Sequence, residues 1–305
     1  MNWKTKAAIQ RFFARLPLGF EPVYYHLQRV GGNLRRPESP MPMFRHASEI
    51  FAELARLGTP VEGARVLEVG TGHRINMPIA FYLAGAQNII SIDLFPILKR
   101  PLVMQMVQGL AGRAQEVKAI FTAHGADAVG ERLARIASAR SFDEVAECMK
   151  LDYRAPCDAT RTGLPAKSVD LHFSYTVFEH IPRDVLVQIL LEGSRLVTDG
   201  GLLCHHIDLS DHFSHADSSI GKINFLQYSS AEWARIDNPR YGYQNRLRVT
   251  DYRAIYEEAS QELKAWLVKV DANAVESLRN GFPLAAEYRG IEPEALATVG
   301  VTAIS

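Results

Sequence analysis

The 305-residue chain predicts an α/β fold built on an open, mostly parallel sheet with helices on both faces. Three observations carry that prediction. Residues 65–69 (Arg-Val-Leu-Glu-Val) form a short β-compatible run that stops at Gly70-Thr71-Gly72. A helix-compatible segment from Met77 to Ala84 follows, and a second apolar run, Asn-Ile-Ile-Ser-Ile, ends abruptly at Asp93. Downstream, strand-like runs at 169–175 and 201–207 flank a helix-like stretch at 184–197. Strand, glycine turn, helix, strand and acid is the order of a nucleotide-binding βαβ unit.

The remaining elements follow from periodicity and punctuation. Ile9, Phe12, Phe13 and Leu16 recur at helical spacing, and Pro17 stops the helix. Packing on the body of the domain is the favoured role for it. A basic amphipathic helix resting on an acidic membrane surface is the alternative. Residues 31–42 hold three prolines and read as a loop, and a helix over 43–57 stops at Gly58. Residues 1–57 are therefore expected as a helical cap, with one domain over 58–305. After Asp93, residues 97–112 read as the second crossover helix. Residues 114–149 read as three short helices, marked by Val117, Ile120 and Phe121, then Val129, Leu133 and Ile136, then Phe142, Val145 and Met149. The 64 residues between Asp93 and Asp158 exceed what a crossover needs by about a helical hairpin. That insertion is either a lid or packing decoration. A short strand precedes Asp158, and the stretch from 208 to 247 is irregular, polar and aromatic. A helix over 251–262 and strands over 266–270 and 298–304 complete the chain.

The glycine turn also restricts its ligand. A dinucleotide fingerprint wants a third glycine where Ile75 stands, so that a pyrophosphate can approach the helix N-terminus. Glu68, two residues before Gly70, is a poor neighbour for a diphosphate. A carboxylate suits a cationic ligand, and S-adenosylmethionine carries an ammonium, a sulfonium and no phosphate. Asp93 then fits a role accepting hydrogen bonds from both ribose hydroxyls.

The pattern resembles the class I S-adenosylmethionine-dependent methyltransferases, and within them the methyltransferase type 11-like proteins. Residues 157–182 look like that family's adenine-side acidic turn and fourth strand, and residues 184–203 like its next helix, turn and fifth strand. Asp199-Gly200-Gly201 stands where the family often has Pro-Gly-Gly. The matches cover roughly residues 60–207. The resemblance implies a Rossmann-like, seven-stranded sheet, mostly parallel with one strand reversed near the end. It implies S-adenosyl-L-methionine as cofactor, with Glu68, Gly70, Thr71, Gly72, Asp93, Leu94, Asp158, Ala159 and Ser174 around it. Asp158 would orient the adenine amino group. Ile75 is a minor departure from the family pattern, and the long gap before Asp158 a real one.

Composition removes other classes. Lys+Arg and Asp+Glu both number 34, so no global charge favours nucleic acid. Three cysteines (Cys148, Cys157 and Cys204) without a CxxC pair argue against a disulfide framework or a structural zinc site. No apolar run approaches a membrane span. The first twenty residues lack a signal-like apolar core, so a cytoplasmic protein is expected. Lys4, Lys6, Arg11 and Arg15, with no acid before Glu21, have an organelle-targeting flavour that the lack of serine before Ser39 opposes.

Catalytic candidates lie past the strand ends. Four histidines and three aspartates fall within residues 205–217. Strand alternation puts His206 and Asp208 on one side, and His212 and His215 are spaced for one helical face. Hydrogen-bonded loop residues, a His–Asp general base and a divalent metal site are all open, and no metal motif matches the spacing. His180, after the fourth strand, either packs under the next helix or acts as base. Because an alcohol holds its proton tightly, such a cluster favours O-methylation of a small metabolite or glycan hydroxyl, with His206, Asp208 and His180 as catalytic residues. Trp233, Asn238, Tyr241, Tyr243, Asn245, Arg246 and Arg248 are candidates to line the acceptor pocket. A non-catalytic S-adenosylmethionine-binding regulator or scaffold is the alternative, followed by an NAD-dependent oxidoreductase.

Overall fold

The computed structural model describes residues 2–14, 39–236 and 243–305. The elements in chain order are α1 (Trp3–Ala14), α2 (Met41–Arg56), β1 (Arg65–Val69), α3 (Asn76–Leu83), β2 (Asn88–Ile92), α4 (Arg100–Ala111), α5 (Ala114–Ile120), α6 (Ala126–Ala137), α7 (Phe142–Met149) and β3 (Leu151–Arg154). They continue with β4 (Val169–Tyr175), α8 (Arg183–Leu196), β5 (Val197–Asp208), α9 (Ser230–Ile236), α10 (Val249–Glu258), β6 (Ala265–Val270), α11 (Ala272–Arg279), α12 (Pro293–Leu296) and β7 (Thr298–Ile304). The seven strands are ordered β3-β2-β1-β4-β5-β7-β6.

β1 is flanked by parallel partners on both sides, with Val66 opposite Ile89 of β2 and Leu171 of β4. Such a strand is buried on both faces, which explains why its sequence is a nearly continuous apolar run. β7 runs the other way. Leu203 and Ser305 exchange two 3.0 Å N–H···O bonds, the signature of an antiparallel pair, and the Leu209 N–H continues the register onto the Val299 carbonyl. The mostly parallel, seven-stranded sheet with one reversed strand is therefore the architecture. Among the described residues no helix is long and apolar enough to cross a membrane.

The described chain forms two compact units. The β1 unit holds residues 39–175, 188–205 and 304–305, and the β6 unit holds 2–14, 176–187, 206–236 and 243–303. The segment expected as one N-terminal cap is divided between them, α1 going to the β6 unit and α2 to the β1 unit. α1 buries Trp3, Ala7, Gln10 and Phe13. Ile9 and Phe12, expected on the packing face, are exposed, so the buried stripe is rotated from the one read off the sequence. Trp3 anchors the helix, its N–H donating to Asp217 at 2.7 Å and its ring lying 5.5 Å from Phe213. Leu16 and Pro17 fall outside the described residues.

In the β1 unit the inserted helices are stitched into the core. Val117, Phe121, Val129, Leu133 and Ile136 are all buried. Phe121 lies 5.6 Å from Phe44, and Phe51 stacks on Phe81 at 4.9 Å, which meets Phe173 of β4 edge-on. The aromatic chain runs from the insertion through α2 and α3 to the sheet. Removing one fully buried phenyl leaves a cavity as well as lost transfer energy, so Phe121→Ala should cost about 3–5 kcal/mol in urea unfolding. A cost below about 1 kcal/mol would mean that the segment is a loosely held cover.

Candidate functional site

The carboxyl end of β1 is where the β1 unit concentrates polar groups. Gly70 and Gly72 have φ of 88° and 68°, which L side chains adopt only with strain. The Gly70 N–H donates to the Ile92 carbonyl at 2.8 Å. Asp93, one residue past β2, closes the turn: Oδ2 accepts the Gly72 N–H at 2.9 Å and Oδ1 the Phe95 N–H at 3.0 Å. A third loop joins them, because the Cys157 N–H donates to the Asp93 carbonyl at 2.8 Å. The structure thus brings together Gly70, Thr71, Gly72, Asp93 and the segment preceding Asp158. Leu94 is exposed beside them and Ala159 is half-buried.

Three of the expected cofactor contacts have other partners: Glu68, Asp158 and Ser174. Glu68 is only 4% exposed, and its Oε2 accepts the Ser91 hydroxyl, which in turn shares a 2.6 Å bond with Thr71. It braces the turn from beneath instead of presenting an open carboxylate. Burial drives its pKa up to about 8, with Ser91 opposing the rise and the Asp93 charge adding to it. Asp158 spends Oδ1 on the N–H and hydroxyl of Thr160, both at 2.8 Å, an Asx turn that leaves Oδ2 outside that arrangement. Ser174 is fully buried against His205 at 2.8 Å. Alternation along β4 turns Tyr175 the other way, and its hydroxyl meets Nδ1 of His46 at 2.9 Å. His46, on α2, was not anticipated, since nothing in the sequence marks a helix histidine 129 positions before its tyrosine partner.

The β6 unit carries a second polar group. His206 and Asp208 share a face of β5, but they are not a pair. His206 Nδ1 lies 2.9 Å from the Thr302 hydroxyl. Asp208 accepts the N–H and hydroxyl of Ser210 and faces His212 Nε2 at 3.5 Å and His215 Nε2 at 3.7 Å. Burial works to raise the Asp208 pKa, but hydrogen bonding and charge from His212, with Ser210, bring it well below the usual carboxylate range. The expected His206–Asp208 dyad is corrected for this reason: the turn after β5 folds His212 and His215 back over the carboxylate, their rings stacked 5.3 Å apart.

Glu179 and His180 complete that group from the single 3₁₀ turn Phe178–His180. Asn245 holds the turn, its side-chain amide donating to the Phe178 and Ile181 carbonyls at 2.8 Å and its N–H to the Glu179 carbonyl at 2.9 Å. Glu179 is 1% exposed. Burial raises its pKa well above the ordinary carboxyl value, and the nearby Glu179 and Asp208 N–H groups only partly oppose this. His180 Nδ1 meets the Tyr243 carbonyl at 2.7 Å, and its ring lies 5.0 Å from that of His212. Glu179 was read only as part of a family motif, with no sign of its burial.

The residues expected to line an acceptor pocket have structural duties. Arg248 is fully buried and donates to the Leu209, Leu296 and Thr298 carbonyls. Arg246 donates to the Phe225 and Tyr228 carbonyls and lies 5.3 Å above the Trp233 ring, itself 4% exposed. A guanidinium satisfied by backbone carbonyls in the core is not available to a ligand. Asn238 and Tyr241 fall outside the described residues.

No protein-family model and no curated protein matches the chain. Solved structures resemble it. An S-adenosylmethionine-dependent methyltransferase from Mesorhizobium loti shares 14% identity over 86% of this chain and 98% of its own, with a TM-score of 0.45. A geranyl diphosphate C-methyltransferase from Streptomyces coelicolor, solved with Mg2+, geranyl diphosphate and S-adenosyl-L-homocysteine, shares 13% over 85% and 77%, with a TM-score of 0.46. Each is a likeness of fold alone.

The enclosed Glu68 makes a pH-dependent prediction. With a folded pKa of about 8 against about 4.5 unfolded, the native state holds a proton that the unfolded state releases between those values. The contribution is fully present below about pH 4.5 and is lost as pH rises towards about 8. Glu68→Gln keeps an acceptor for Ser91 and lacks this titration. Its stability relative to the parent should therefore climb from pH 5 to pH 8 in urea unfolding; a pH-independent difference would sink the assignment.

Proposed function

We propose that the chain is an S-adenosylmethionine-dependent methyltransferase acting on a hydroxyl of a small metabolite or glycan. The observation that carries the cofactor assignment is Asp93, fixed through Gly72 and Phe95 at the joined ends of β1 and β2, above a turn braced by a second acid. Both of its oxygens keep lone pairs beyond these backbone bonds, which suits a pair of ribose hydroxyls. Ile75 is fully buried where a dinucleotide would need glycine, which disfavours a pyrophosphate. Glu68 contributes by bracing the turn through Ser91 and Thr71, and Asp158 Oδ2 is the acceptor proposed for the adenine amino group.

Methyl transfer from the sulfonium breaks the carbon–sulfur bond and forms a carbon–oxygen bond. The products are S-adenosylhomocysteine, a methyl ether and the proton of the hydroxyl. The donor is already activated, so the protein has to position the reactants and accept that proton. For that proton we propose an acceptor within the Glu179, His180, Asp208 and His212 group of the β6 unit, leaving His206 outside it. Asp208 orients His212, and the Tyr243 carbonyl orients His180.

Two measurements test this reading. Calorimetry should show S-adenosylmethionine and S-adenosylhomocysteine binding and NAD not binding, and Asp93→Ala should weaken that binding by about 1.5–3 kcal/mol. Tight NAD binding, or an indifferent Asp93→Ala variant, would remove the cofactor assignment. Once an acceptor is found with labelled cofactor and a metabolite extract, His180→Ala should lower kcat by about 10²–10⁴ while cofactor affinity holds. A loss of that size in His206→Ala alone would return the base to the strand residue.

A further inference from the structure

We propose that Glu179, His180 and His212 form a binding site for a borderline divalent cation of the Zn2+ type. One ligand atom from each of the three lies within 4.8 Å of the others. All three belong to the β6 unit, Glu179 and His180 coming from the turn after β4 and His212 from the turn after β5.

Three features point to a ligand instead of a chance cluster. Glu179 is 1% exposed, and neither of its carboxylate oxygens receives an aligned hydrogen bond. An acid at this depth without a cation is costly, and a bound cation is one way such a group is satisfied. His180 has its tautomer set: a carbonyl can only accept, so Nδ1 carries the proton towards Tyr243 and Nε2 keeps its lone pair. Backbone or carboxylate contacts of this kind are what orient metal-binding imidazoles. His212 Nε2 is likewise buried without an aligned hydrogen bond, and Asp208 Oδ2 lies 3.5 Å from that same nitrogen, a second carboxylate at the edge of the cluster.

The donor set selects the cation class. Two imidazoles and one carboxylate match the open three-ligand sets of catalytic zinc sites, whereas Mg2+ and Ca2+ prefer all-oxygen shells. Donors about 2.1 Å from a tetrahedral Zn2+ sit roughly 3.4 Å apart. Closing the site therefore takes side-chain rotations on the order of an ångström, which the solvent-exposed edge of His180 permits. The turn itself is held by Asn245 through three backbone contacts, so it need not move. A cation here would supply Lewis-acid chemistry, acidifying a coordinated hydroxyl, and would occupy the His180 and His212 lone pairs, so that it would replace an imidazole base in this group. That role rests on the methyl-transfer reading; the binding does not.

The test is a titration of the full chain after chelation and dialysis, using Zn2+ by calorimetry and Co2+ by its visible absorption. One equivalent should bind, with Co2+ giving the spectrum of a low-coordinate nitrogen and oxygen site and Zn2+ displacing it. Glu179→Gln and His212→Asn should each weaken Zn2+ binding at least 100-fold, and Asn245→Ala about 10–100-fold, the range for residues that orient ligands. His206→Asn should bind as the parent does. Circular dichroism establishes that each variant folds, and His212→Asn, outside the deepest burial, is read alone if Glu179→Gln does not. The proposal is overturned if the parent chain takes up no stoichiometric Zn2+ at 100-fold excess over protein, or if both ligand variants bind it as the parent does. Because the titration uses no cofactor, a failed site leaves methyl transfer standing, and failed S-adenosylmethionine binding leaves the site standing.

Discussion

The hydrogen-bond chain Thr71–Ser91–Glu68 is the constraint on which the carboxyl end of the β1 unit depends. β1 is a central parallel strand, so its side chains enter a core with no water to satisfy them. Placing a glutamate there is tolerable only if the group is neutral and hydrogen-bonded. Ser91, opposite Glu68 in the parallel register, supplies that bond from β2, and Thr71 extends it into the glycine turn. The same chain therefore satisfies a buried acid, couples two strands and fixes Thr71 within the glycine turn. Asp93 can cap Gly72 only because this lower tier already holds β1 and β2 in step.

The β6 unit meets the same problem with the opposite charge and resolves it differently. Arg248 is fully buried, and burial lowers its pKa only to about 10, so it stays cationic near neutrality. Its charge is spread over three backbone carbonyls, with the Phe225 ring 5.7 Å away. Those carbonyls belong to Leu209, just past β5, and to Leu296 and Thr298, on either side of the entry to β7. The guanidinium thus pins the exit of one strand to the entrance of its antiparallel neighbour. That pin fixes where the turn beginning at Leu209 starts, and this turn carries His212 and His215 back towards Asp208.

What was legible in the sequence followed from short-range rules. β1 and β2 could be read because β-branched runs ended in glycine or aspartate, and β4 because Val169, Leu171, Phe173 and Tyr175 put an apolar or aromatic side chain at every second position. Asp93 was legible for the same reason, being fixed by its position after a strand. The helices of the insertion were visible in their periodicity, but whether they cover or pack was not, since that depends on Phe121 finding Phe44 and Phe51. α9, α11 and α12 were missed: α9 lies in the polar stretch read as irregular, α11 buries only Ala274, and α12 is a single turn of four residues. The site residues failed where pairing is tertiary. His46 with Tyr175 and His180 with the Tyr243 carbonyl are contacts that no spacing encodes. Asp208 was correctly placed on the face of β5 shared with His206, yet its partner was decided by the turn that follows.

Glu68 and Glu179 show why burial alone does not assign a role to an acid. Both are enclosed to a few per cent exposure at the end of a strand or just beyond it. Glu68 has a hydroxyl pointed at it, and the geometry is complete without a ligand. It is best understood as part of the scaffold that holds the turn above. Glu179 has no aligned donor, the Glu179 and Asp208 N–H groups only partly offset its burial, and the imidazoles of His180 and His212 gather beside it. Lone pairs facing lone pairs repel unless a proton or a cation lies between them. A buried acid with a well-aligned donor belongs to the fold; a buried acid without one, set beside two imidazoles, is the group a cation would satisfy.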